Sequence, residues 1–207
     1  MGLNEDLGDR ENVGSAAVAT QRAREARTKR KGDWMQTFTG RQFWPIDPRP
    51  EEVSIVDIAH SLSNQCRYAG HCKSFYSVAQ HSVMVSYICA PEDALWGLLH
   101  DAAEAYLVDL PRPVKRFSDL GWHYKQIETR LMQVLCVRFN LPIEEPDSVS
   151  KADDVALMTE MRDLMGMPPA QWREALANQP LEPAIIPWGP CASKTEFLRR
   201  FEELSGK

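Results

Sequence analysis

A chain of 207 residues can bury one sizeable core, and 43% hydrophobic with 26% charged residues is the balance of an ordinary globular domain. A net charge of -5 excludes an overall basic nucleic-acid footprint, and no apolar run reaches the roughly eighteen residues of a membrane span. Five cysteines without a paired framework, and no secretory h-region, predict a reducing, cytoplasmic setting.

Residues 1–34 differ from the rest. MGLNEDLGDRENVGSAAVAT is small and polar, and six basic residues follow between Arg22 and Lys31. Such a segment buries too little apolar area to offset chain entropy, so it is expected to be a disordered arm. The basic run 22–31 is either a solvated tail or a contact for a polyanion. Met35 opens the first foldable segment and is a candidate natural start; the domain is placed at 35–207.

Three prolines, Pro45, Pro48 and Pro50, make an extended lead-in. SIVDIAHSLSNQC then reads as a helix capped by Ser54 with Asp57 three residues on, with Ile55, Ile58, Leu62 and Cys66 on one face. RYAGHCKSFY is a loop. SVAQHSVMVSYICA is a second helix, stopped near Pro91, and PEDALWGLLHDAAEAYL a third, with proline and acidic residues at its start. Pro111 and Pro113 end helical structure in VDLPRPVK.

DLGWHYKQIETRLMQVLCVRFN is a long amphipathic helix with Ile127, Leu131, Val134 and Leu135 inward. VSKADDVALMTEMRDLM is another, and PPAQWREALAN a short one. SKTEFLRRFEEL closes the chain with a Ser193/Glu196 capping box and a Phe197, Phe201, Leu204 stripe. With no alternating strand run and no repeat, the fold is read as all-α, a bundle of roughly six to eight helices.

Histidines and carboxylates recur on successive helices: His81, the pair His100-Asp101, and Asp153. Adjacent residues on a helix point about 100° apart, so His100 and Asp101 converge only on something between them. Imidazoles and carboxylates together suit a divalent metal, although a helical histidine is often a packed core residue. Asp154 competes with Asp153 for the last place.

These residues resemble the HD-domain metal-dependent phosphohydrolases, whose motif is H…HD…D on an all-helical bundle. YSVAQHS, LLHDAAEAYLVDLPRPVK and KADDVALMTE are similar to the small bacterial and phage branch related to 5′-deoxynucleotidases. GRQFWPIDP and DIAHSLSNQCRYAGH resemble the lead-in of phage-type members. The resemblance runs from about Met35 to about Met165.

It implies that His81, His100, Asp101 and Asp153 hold one divalent cation, with manganese, cobalt, iron, zinc and magnesium all open. Glu104, four residues beyond His100, takes the place of the general acid/base. Asp109 matches an aspartate that orients water or supports the metal. Arg67 and Tyr68 correspond to an arginine–tryptophan pair that contacts phosphate and crowds the sugar; tyrosine in place of tryptophan puts the deoxyribose preference in doubt. Lys115 is placed to meet phosphate, whereas Arg112 reads as an exposed basic residue. His71 is expected to reach substrate or a carboxylate near the metal. A Cys66–His71–Cys72 zinc site fits no standard spacing, and His60 and His123 read as surface or core residues.

The function implied is hydrolysis of the 5′-phosphate of deoxynucleoside monophosphates, with assembly as a homo-oligomer. Two alternatives stand beside it. One is a deoxynucleoside triphosphohydrolase using the same metal set; the other is a non-catalytic nucleotide- or nucleic-acid-binding module.

Overall fold

A computed structural model describes residues 30–170 and 178–206. The fold is all-α. A short hairpin, β1 (Met35–Gln36) with β2 (Gln42–Phe43), leads into helix α1 (Ile55–Asn64). Then come α2 (Val78–Ile88), α3 (Ala94–Leu99), α4 (Glu104–Leu107), α5 (Arg112–Phe117), α6 (Asp119–Phe139), α7 (Asp147–Leu164) and α8 (Pro190–Ser205). Turns of 3-10 helix precede α1 and α3, and another, Arg67–Gly70, lies between α1 and α2. Among the described residues, no helix is long and apolar enough to cross a membrane.

Helix α2 lies at the centre, packed by α1, α3, α7 and α8. Its sequence shows why: Val78, Ala79, Val83 and Val85 occur with small or polar Gln80, Ser82 and Ser86, and all seven are buried. A helix covered over most of its surface, open mainly at Tyr87, has little solvent face to keep charged. His81 is carried on this helix with no exposed surface. Gly97 of α3 brings the two helices together, since a Cβ there would lie 2.8 Å from Cys89 Sγ and 3.3 Å from Ser86 Cα.

Several local expectations change. Ser54 occupies the N-cap position of α1 but makes no side-chain cap bond. Asp57 instead accepts from the Thr39 amide (2.7 Å) and hydroxyl (2.9 Å), tying the hairpin to α1. Cys66 lies past the helix end, bridged to Ser77, so only Ile58 and Leu62 of its predicted stripe are fully buried. The Ser193/Glu196 box does not form either. Pro190, preset for a first turn, starts α8 earlier, and Ser193 is buried inside the helix. The two short strands were not expected; they contain too few residues to show alternation.

The expected arm 1–34 lies outside the described residues except at its end, and there it is not a free tail. Arg30 pairs with Asp47 (2.7 Å) and Glu52 (2.6 Å), and its guanidinium sits 4.3 Å from the Trp44 ring centroid. Most of the short helix expected at PPAQWREALAN also lies outside the described residues.

The main departure is in the third helix. Instead of running from Pro91 to Leu107, it stops at Leu99 and resumes at Glu104. The Gly97 carbonyl, which a regular helix would offer to the Asp101 amide, accepts from His100 Nδ1 at 2.8 Å. Downstream bonds contract to three-residue spacing: Ala102 N to Leu99 O, Glu104 N to Asp101 O, Ala105 N to Ala102 O. Residues three apart eclipse in such a turn, so Glu104 follows Asp101 rather than His100.

Candidate metal centre

Three elements bring four side chains together. His81 comes from the middle of α2, His100 and Asp101 from the contracted turn after α3, and Asp153 from α7. His81 Nε2 lies 3.2 Å from His100 Nε2, 3.6 Å from Asp101 Oδ2 and 3.2 Å from Asp153 Oδ1. His100 Nε2 is 3.3 Å from Asp101 Oδ2. Ligand atoms of His81, His100 and Asp101 all fall within 4.8 Å of one another, and this group could bind a metal ion.

The chemistry of these atoms fits a cation. His81 Nδ1 faces the Glu160 carboxylate at 2.6 Å, and His100 Nδ1 faces the Gly97 carbonyl at 2.8 Å. Both partners are acceptors, so each Nδ1 carries the hydrogen and each Nε2 presents a lone pair. Two lone pairs 3.2 Å apart, beside two carboxylate oxygens, repel unless something positive lies between them.

Protons are one remedy. Burial works against the imidazolium, yet Asp101 and Asp153 outweigh it and push His100 up to about 9. For His81, burial and Arg67 are likewise outweighed by Glu160 and Asp153, and its pKa rises. Burial also favours neutral carboxyls, but the histidines hold Asp101 and Asp153 ionised well below the usual range. A cation bound here must displace imidazole protons. Manganese affinity measured by calorimetry is therefore expected to rise with pH, by up to about tenfold per unit for each proton released, and to level off above about pH 9. An affinity flat across that range would show that the imidazoles are not the ligands.

Glu104 stands beside the set, almost fully buried, its Oε2 without a hydrogen-bond partner. Burial, then the Asp101 and Asp109 carboxylates, raise its pKa well above the usual range against Lys115 and Arg67. Its surroundings therefore favour the protonated form. Lys115 Nζ lies 3.9 Å from Glu104 Oε1 and is taken by Glu128 at 2.6 Å. The lysine expected at phosphate thus rests between two glutamates.

Asp109 follows Val108, whose φ of 71° is costly for a β-branched residue. Gln65 holds this segment: its Nε2 donates to Glu104 O (3.0 Å) and its Oε1 accepts from Asp109 N (3.1 Å). The Tyr124 hydroxyl donates to Val108 O at 2.6 Å. Burial, reinforced by Asp101, raises the Asp109 pKa despite Arg67.

Arg67 reaches the centre through two carboxylates, with Nη1 3.4 Å from Asp101 Oδ2 and Nε 3.2 Å from Glu160 Oε2. Tyr68 gives its hydroxyl to Glu160 Oε2 at 2.6 Å. Arg112, read from the sequence as an exposed basic residue, lies with Nη2 3.5 Å from Asp153 Oδ2. His71 is exposed at the end of the Arg67–Gly70 turn, its amide bonded to Tyr68 O. Cys72 bonds Arg67 O through sulfur at 3.5 Å, and burial with neighbouring Cys66 pushes its thiol up to about 11. His60 stacks on Phe38 and His123 meets Trp122 edge-on.

Glu160, Gln65 and Glu128 were missed from the sequence. Glu160 had a signal: it follows Asp153 by seven residues, two turns along the same face of α7. Glu128 and Gln65 had none, because the partners that tie them to the site, Lys115 for Glu128 and Glu104 and Asp109 for Gln65, lie in other elements.

No family model matches the chain. It is 38% identical over 174 residues to the uncharacterized protein YfdR of Escherichia coli, covering 83% of this chain and 96% of YfdR. It is 32% identical over 154 residues to an uncharacterized protein of Rhodobacter capsulatus, covering 68% of this chain and 78% of that protein. With that identity across nearly the whole relative, the chain belongs to the YfdR family.

Proposed function

We propose that the protein is an HD-type, metal-dependent phosphohydrolase acting on nucleotides, with deoxynucleoside 5′-monophosphates as its leading substrates. One observation carries the reading: a buried Glu104, one carboxylate oxygen without a hydrogen-bond partner, beside a cluster of two imidazoles and two carboxylates. A site that only held a structural ion would have no use for a neighbouring acid. The resemblance of YSVAQHS, LLHDAAEAYLVDLPRPVK and KADDVALMTE to the HD superfamily supports it.

A divalent cation in this cluster supplies Lewis-acid polarisation of a phosphoryl oxygen and acidifies water. His81, His100, Asp101 and Asp153 would hold it, and manganese, cobalt, iron, zinc and magnesium all remain compatible with such ligands. Glu104 holds a proton that it can deliver to the departing nucleoside oxygen. Asp109, fixed by Gln65 and Tyr124, orients water on that side. Arg67, held by Asp101 and Glu160 at the edge of the cluster, would meet a phosphoryl oxygen there.

Arg112 favours a second reading. With Arg67 and Lys115 it makes a third basic group around the cluster, which suits a longer phosphate chain. Phosphate release across ribo- and deoxyribonucleoside mono- and triphosphates, with manganese or cobalt, separates the two. Orthophosphate from deoxymonophosphates is the expected result. Tripolyphosphate from triphosphates alone would move the protein to the second reading, and no turnover with metal bound would leave a binding module.

A further inference from the structure

We propose that Glu160 is a positioning residue that couples cation binding at His81 to the conformation of the Arg67–Gly70 turn, so that the cation raises the turn's affinity for a phosphate anion. The inference rests on the metal reading above but not on hydrolysis.

One carboxylate with no exposed surface serves three partners from separate places. Its Oε1 accepts from His81 Nδ1 at 2.6 Å; its Oε2 accepts from the Tyr68 hydroxyl at 2.6 Å and from Arg67 Nε at 3.2 Å. Helix α7 thus delivers a ligand, Asp153, and two turns later the group that orients another ligand, His81.

The turn held by Glu160 is strained. Tyr68 (φ 57°) and Ala69 (φ 50°) are consecutive left-handed residues, neither of them glycine. Its flanks are tied elsewhere, Arg67 N to Tyr76 O (2.9 Å) and Lys73 N to Leu164 O (2.8 Å). Between those ties, the two bonds to Glu160, together with the approach of Arg67 Nη1 to Asp101 Oδ2 (3.4 Å), hold Arg67 and Tyr68 in place. A cation on His81 Nε2 fixes the imidazole and, through Nδ1, the carboxylate. Glu160 then keeps Arg67 aimed at the cluster. By linkage, whatever releases the turn must also weaken the cation.

The test uses the full chain with manganese alone, then inorganic phosphate with and without manganese, read by calorimetry and by amide exchange over residues 67–73. Glu160→Gln is expected to lower manganese affinity about 10–100-fold and to speed exchange in those amides. Tyr68→Phe touches no proposed ligand. It should speed the same exchange, weaken phosphate binding in the presence of manganese, and lower manganese affinity by a smaller factor. Wild-type manganese affinity in Glu160→Gln would overturn the inference. So would Tyr68→Phe with unchanged exchange and phosphate affinity, which decides the matter if Glu160→Gln fails to fold. Wild-type protein that takes up no manganese would instead overturn the metal reading itself.

Discussion

Asp101→Ala is expected to reduce phosphate release to the blank and to abolish stoichiometric cation binding, while circular dichroism still reports a helical protein. The loss is large because Asp101 Oδ2 lies within 3.6 Å of both histidine Nε2 atoms, and nothing else on the turn after α3 can replace it. The fold survives for a specific reason. Asp101 is a major contributor to the raised pKa of His100, so its loss favours the neutral imidazole, and Arg67, the other partner of Asp101, keeps Glu160. Breaking a buried pair whose surviving partner cannot neutralise would cost about 3–5 kcal/mol. Unchanged turnover, or manganese bound at one per chain, would end the assignment of Asp101 as a ligand.

Glu104→Gln should behave differently. Glutamine matches the neutral acid in size and hydrogen-bonding ends, so folding and cation affinity are expected to stay near wild type. The rate should fall by roughly 10²–10⁴-fold, the loss that follows removal of a positioned proton donor. The pH profile separates this from a steric effect. A proton donor acts only while protonated, so the wild-type rate should decline as pH rises through the raised pKa of Glu104. That alkaline decline should be absent from the Glu104→Gln profile. A variant that loses manganese would recast Glu104 as a ligand, and one with full turnover would assign the proton to another group.

Both predictions depend on a backbone feature that periodicity did not anticipate. Residues 91–107 carry a helical pattern throughout, and on a regular helix Glu104 would share a face with His100. The His100 ring takes the Gly97 carbonyl, the bonding contracts, and Glu104 moves into register with Asp101. The resulting repulsion between those carboxylates adds to burial in raising the Glu104 pKa.

By itself, the sequence determined the helical class and most helix positions, because apolar spacing and proline placement act over a few residues. The Leu131–Leu135 face of α6 and the Phe197 stripe of α8 were legible for that reason. The order His81, His100-Asp101, Asp153 was readable as donor chemistry, and the structure brings these four side chains together. Only the tertiary structure decided which atoms meet. The 3.2 Å approach of two Nε2 atoms, the burial of Glu160 against His81, the docking of Arg30 on Trp44 and the pairing of Lys115 with Glu128 all join residues far apart in the chain or in different elements. Such contacts are set by which helix faces pack together, and local propensity carries no record of that choice.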